Sequence, residues 1–141
     1  MGGPWHRHEL GGFICGLKHD GTQLSSNKFV WFQGRGLWVF SALFLRFDDA
    51  TAEEKARYLT IARKTADFIV NRSRDAAGQW TVEMDREGGV VGAAEPDSIS
   101  TSGYGSMFAA EGLQEYYFAE KKAATASTAQ CCSVRPGRCI P

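Results

Sequence analysis

Neither sign of charge predominates in the 141 residues: sixteen lysines and arginines balance sixteen aspartates and glutamates. A sequence-independent nucleic-acid binder needs a basic stripe to neutralise phosphates, so that class is set aside. The same balance offers nothing to an anionic membrane surface. Long hydrophobic runs are absent too. The longest nearly pure one, LWVFSALFL, has nine residues, against about 20 for a membrane-spanning helix. The opening MGGPWHRHELGG has neither the apolar stretch nor the small-residue cleavage site of a signal peptide, and MGGPWH lacks the Ser or Thr of a myristoylation pattern. A soluble, cytoplasmic protein with no membrane partner is the expectation. Cysteines are few and poorly spaced for a metal. Cys15 stands alone, and CCSVRPGRC, holding Cys131, Cys132 and Cys139, has neither a C-x-x-C pair nor a nearby histidine. No metal is expected. The sequon NRS at 71–73 is read as coincidence without a secretion signal. Histidine is scarcest where it would matter most: His6, His8 and His19 are the only three, and none follows residue 19.

What is present suits one folded domain by length, with 43% hydrophobic and 23% charged residues. In GGFICGLKHDGTQL, residues 11–24, Phe13, Cys15 and Leu17 alternate and HDG supplies a turn, which predicts a short hairpin. Residues 28–47 are too long for a strand and read as a helix that Asn27 is placed to cap. At 100° per residue, Lys28, Trp31, Arg35, Trp38 and Ala42 share one face, while Phe29, Phe32, Gly36, Leu43 and Phe47 gather opposite. A helix apolar on nearly every side is expected to be surrounded by protein. Gly34 and Gly36 each cost such a helix about 1 kcal/mol, and their use is close approach of backbone or ligand.

The next helix differs. Thr51 and Glu54 form a capping-box pattern with Glu53 and Glu54 in the first turn. Tyr58, Leu59, Ala62, Ala66 and Ile69 make one apolar stripe, with Arg57, Lys64 and Asp67 away from it; this is an outer helix. Residues 78–92 alternate Trp80, Val82 and Met84 and turn near DREGG, a second hairpin. Residues 100–120 return to a helix apolar on most sides, with Tyr104, Phe108, Glu111 and Glu115 on one face. Residues 1–120 therefore form the organised part. After Glu120, KKAATASTAQCCSVRPGRCIP loses periodicity, and 121–141 is expected to be an atypical tail, disordered or not native.

Arg35 poses the functional question, because a charge in so apolar a segment must be paired or face a wet cavity. KFVWFQGRGLWVFSALF resembles the signature of the N-acyl-D-glucosamine 2-epimerase (renin-binding protein) family, K-x-x-W-x-Q-G-R-x-x-W-x-F-S. GGFICGLKHDG resembles that family's N-terminal hairpin, and SMFAAEGLQEYY its next inner helix. The resemblance covers about residues 11–120; the short lead-in and the tail depart from it. It implies an all-α fold, an (α/α)6 barrel or toroid of inner and outer helices with short β-hairpins in the connections. Twelve helices of about 12 residues with connections of about 5 exceed this length, so an incomplete barrel, the N-terminal portion of such an enzyme, is expected.

The resemblance further implies a sugar isomerase that removes a proton beside the carbonyl of an opened aldose and returns it elsewhere. Such chemistry needs an acid/base pair tuned near neutrality, which suits histidine, and a positive group aimed at the developing enolate oxygen. By resemblance Arg35 is the catalytic candidate for that second role. Trp31, one turn earlier, walls the sugar ring, and Tyr104 contacts its hydroxyls. Lys28 belongs to the motif and joins the substrate-binding candidates, although its expected part is that of a structural ion-pair partner. The family's acid/base histidines belong to later inner helices, so this chain alone is expected to be inactive. No cofactor is implied beyond ATP as an effector in some members, and no phosphate loop is visible. A small-molecule sugar and, at full length, a homodimer are the implied partners. Other readings stay open. On the residues alone Arg35 is expected to pair with Glu111, both tryptophans are ordinary core, and Gln33, on another side of the helix, makes a packing hydrogen bond. A mannose isomerase or cellobiose 2-epimerase of the same family, or a non-catalytic truncated product, would share these motifs. A glycosidase is disfavoured, since Glu111 and Glu115 lie one turn apart on one helix.

Overall fold

The computed structural model describes residues 10–78, 80–91 and 99–134, with side chains in the last segment described for 104–127. His6, His8 and Cys139 lie outside the described residues, as do the side chains of Cys131 and Cys132. The chain is mostly helical, with two small antiparallel sheets. Strand β1 (Gly16–Leu17) pairs with β2 (Gln23–Ser25), with an irregularity between Gly16 and Leu17. The Lys18 amide donates to the Thr22 carbonyl at 2.8 Å and the Gly21 amide to the Lys18 carbonyl at 3.0 Å. Gly21 takes φ +83° there, the left-handed residue that lets a short loop reverse the chain. The expected hairpin is present, with Cys15 just before its first strand rather than within it.

The helix expected from Lys28 starts later. Lys28–Phe29 form β3, paired with β4 (Glu83–Met84), and α1 runs Val30–Arg46. Its N-cap is Phe29, which makes no side-chain cap bond. Asn27 does not cap it; its side-chain Nδ2 donates to Glu83 Oε1 at 2.8 Å instead. The cause is non-local: pairing with a strand more than fifty residues on holds Lys28 and Phe29 extended, and the Val30 amide bonds the Val82 carbonyl.

Helix α2 (Ala52–Arg72) has the full capping box: the Glu54 amide donates to Thr51 Oγ1 at 3.2 Å and the Thr51 amide to Glu54 Oε2 at 2.8 Å. Leu59, Ala62, Ala66 and Ile69 are buried and Tyr58 half-buried, while Arg57, Lys64 and Asp67 are exposed, so the wet side is where periodicity put it. The second hairpin turns at Asp85, whose Oδ1 accepts from the amides of Glu87, Gly88 and Gly89 at 2.9, 2.8 and 2.7 Å. Met84 bridges Val90 across that turn, whereas Trp80 bridges back to Arg74.

Helix α3 (Ile99–Val134) passes through Glu120 without a break. Helices α1 and α3 pack extensively, α1 and α2 less so, and α2 barely meets α3. The core lies along α1: Val30 and Leu37 meet Ala62, Ala66, Phe68 and Ile69 from α2, Met84 from β4 and Ala109 from α3. Full burial of a side chain such as Leu37 or Phe68 stabilises by about 1.5–3 kcal/mol. A Cβ on Gly34 would press into the Phe108 carbonyl and stand 2.6 Å from the Ala109 amide nitrogen, and one on Gly112 would meet the Gly34 carbonyl. Two glycines thus bring α1 and α3 into backbone contact, while Gly36 makes room for the Phe13 ring. Both glycines of the signature serve close approach. Contrary to expectation, α1 is not enclosed: α2 and α3 cover only part of its circumference, leaving Trp31, Trp38 and Val39 exposed among the described residues.

Candidate functional site

The signature divides by side of the helix. Gln33 and Lys28 point into protein and hold the scaffold. Gln33, fully buried, accepts from the Phe13 amide at 2.6 Å through Oε1 and donates to the Phe13 carbonyl at 2.9 Å through Nε2. A side-chain amide here serves one residue of backbone as a neighbouring strand would, so the expected packing hydrogen bond proves to be two to Phe13, with a third, long one from Nε2 to Cys15 Sγ at 4.0 Å. Lys28 is equally buried. Its ammonium donates to the carbonyls of Gly11 at 2.7 Å and Arg86 at 2.9 Å and lies 3.9 Å from the centre of the Phe68 ring. Carbonyls and a ring stand where an ion pair was expected. Because Lys28 sits in β3, before the first helical turn, it does not share the Arg35 face. Burial pushes its pKa down to about 8; Arg86 and Arg72 act in the same direction, and Glu87 and Cys15 oppose it.

The other side of α1 is open. Trp31, Arg35 and Trp38 are exposed at helical spacing. The Arg35 guanidinium lies over the Phe108 ring of α3, 5.5 Å from its centroid, and the Tyr104 ring stands 6.2 Å from the same centroid at 41°. Trp31 meets Phe32 edge-on at 5.6 Å. Among the described residues no carboxylate reaches Arg35 within ion-pair distance, so the expected alternative, a pair with Glu111, is not formed. The structure brings Arg35 and Tyr104 to one aromatic residue, keeps Trp31 on the same face, and sends Lys28 elsewhere.

Two of the three described carboxylates of α3 go to neighbouring helices. Glu115 is buried and takes a charged hydrogen bond from Arg46 at the end of α1. Glu120 binds Arg63 of α2 at 2.6 and 2.9 Å and accepts from the Tyr116 hydroxyl at 2.8 Å. The Arg63 guanidinium holds the Glu120 carboxyl below its usual range, and burial with that carboxylate pushes the Tyr116 phenol up to about 12. Lys122 donates to the Leu45 carbonyl at 2.7 Å, satisfying a terminal carbonyl of α1. Glu111 remains exposed. His19, the one described histidine, lies in the β1–β2 turn. Among the described residues, no group of three or more histidines, cysteines or carboxylates is placed to hold a metal ion, and no helix is long and apolar enough to cross a membrane.

Phe108 is the contact that sequence reading passed over. Its place four residues after Tyr104 was visible, but its meeting with Arg35 depends on the glycine crossing of two helices.

No protein-family profile matches the chain. Over 71 residues it is 32% identical to a Mus musculus protein described as N-acylglucosamine 2-epimerase. Proteins of that description from Rattus norvegicus and Homo sapiens are 31% identical over the same length. The similarity covers 50% of this chain and spans 16% of the length of those curated relatives.

Proposed function

We propose that this chain is the N-terminal portion of a sugar epimerase of the N-acylglucosamine 2-epimerase type, built on an (α/α)6 barrel whose inner helices include α1 and α3. On this reading Arg35 faces the sugar and stabilises the oxygen on which negative charge gathers as a proton leaves the neighbouring carbon. Trp31 is a wall for the ring, and Tyr104 a hydroxyl partner. Lys28 contributes from beneath, by fixing the loops around the start of α1. The observation that carries the reading is the open Arg35 face: a guanidinium on an aromatic surface with no carboxylate beside it among the described residues. In a closed barrel, where that face would be enclosed, a purely structural arginine would need a carboxylate partner. The limited similarity to the epimerases supports the choice of reaction.

By the resemblance the proton transfer needs groups from later inner helices; His19, the one described histidine, sits in a hairpin turn. That placement of His19 equally favours a non-catalytic product as the second reading. A mannose isomerase or cellobiose 2-epimerase would use the same Arg35 face with a different shell around the sugar. The test is an NMR titration of the 141-residue chain with N-acetylglucosamine. Weak binding that shifts the Trp31 indole and is lost in Arg35→Ala is expected. Binding indifferent to Arg35→Ala would sink the assignment. In deuterated water the chain alone is expected to leave the sugar's C2 proton unexchanged; exchange would show that the acid/base groups are already here.

A further inference from the structure

We propose that Phe108 is the positioning residue for Arg35: its ring orients the guanidinium while leaving every N–H of that group available to a ligand. The proposal rests on the sugar-facing reading of Arg35 and extends it to a residue that reading does not use.

A guanidinium can be fixed in two ways. A carboxylate grips it edge-on, commonly through two parallel hydrogen bonds, and takes up donors. An aromatic ring attracts it through the face, by charge against the ring's quadrupole, and the five donors, which lie in the guanidinium plane, stay free. Among the described residues Arg35 has a contact of the second kind, its guanidinium carbon 5.5 Å from the Phe108 centroid, while the α3 carboxylates Glu115 and Glu120 are engaged by Arg46 and Arg63. The remaining one, Glu111, follows Phe108 by three positions and is exposed. Without the ring it becomes the competing partner.

Phe108 is itself fixed. It is half-buried, Tyr104 lies against its ring, and its carbonyl abuts Gly34, the residue before Arg35. The backbone contact that joins the helices therefore also sets where the ring stands under the guanidinium.

The experiment follows the Arg35 Nε–H resonance and N-acetylglucosamine binding in the 141-residue chain, kept below the concentration at which it self-associates, for Phe108→Leu and Phe108→Tyr. In the wild type the resonance is expected to carry an aromatic ring-current shift. Phe108→Leu should abolish it and weaken sugar binding about twofold to fivefold, the range for losing one exposed cation–π contact. Phe108→Tyr should restore both. The Gln33 side-chain amide signals, set by Phe13, report whether the scaffold is intact. If Phe108→Leu disturbs them, Phe108→Tyr decides, and loss of the Arg35 shift in that variant overturns the proposal. An Arg35 shift that survives Phe108→Leu also overturns it. Should the ring shift behave as expected while no variant, wild type included, binds sugar, the positioning of Arg35 stands and the sugar reading falls.

Discussion

Lys28 shows what one residue of the signature does when it is not at the site. Its ammonium joins the Gly11 loop, the Arg86 turn and the Phe68 ring, three places far apart in sequence. Burial lowers its pKa from 10.5 to about 8. Below pH 8 the folded and unfolded chains both hold the proton, and the fold bears the cost of a buried charge. Between about pH 8 and 10.5 the unfolded chain binds more protons than the folded one, so stability rises with pH. Between pH 7 and about 9.5, urea unfolding of dilute protein should show the wild type gaining on the order of 1 kcal/mol relative to Lys28→Met. A difference between the two that stays flat with pH would show that Lys28 is neutral, or fully charged, throughout. Much at this scale was legible: the side of α1 to which Gln33 belongs, the grouping of Trp31 and Trp38 with Arg35 on one face, and the capping role of Thr51. The carbonyl partners of Lys28 were not, because they come from loops whose placement depends on the β3–β4 pairing.

Among the elements, the meeting of α1 and α3 depends on residues that weaken each helix alone. Glycine costs a helix interior about 1 kcal/mol, yet a methyl group on Gly34 would strike the Phe108 carbonyl and the Ala109 amide. Gly34→Ala should therefore lower the unfolding free energy by about 1–3 kcal/mol despite its better propensity, as overpacking does. A neutral or stabilised variant in chemical denaturation would show that the helices separate at no cost. Element type and order read well from periodicity and caps, because α2 is amphipathic and α1 has a helical apolar pattern. The start of α1 did not, since the strand partner of Lys28 and Phe29 lies at Glu83–Met84. The run of α3 past Glu120 did not either. Periodicity reports which face is buried and fades where nothing packs, but alanine favours helix without it, and KAATASTA is rich in alanine.

For the molecule as a whole, the described surface holds large apolar groups in quantity: Tyr104 is 67% exposed, Met107 70%, Trp38 41% and Phe118 47%. Faces of that kind on a soluble monomer usually meet a partner. The 141-residue chain is expected to self-associate or aggregate, with a sedimentation coefficient that rises with concentration. A concentration-independent, cooperative melt of a monomer would contradict this. A barrel is implied only by the resemblance; the three helices and two small sheets among the described residues fix neighbours and not closure. The glycine crossing has one more consequence, a mechanical one. It makes a fulcrum at Gly34, with Arg35 on a lever arm of one residue, about 1.5 Å, and Leu45 on one of eleven, about 16 Å. A rocking of about 5° between α1 and α3 would carry the Leu45 end, where Lys122 is attached, through about 1.4 Å, and would move the Arg35 backbone by about 0.1 Å. The charged group is mounted beside the pivot, where a tilt of the helices would turn it but scarcely displace its backbone.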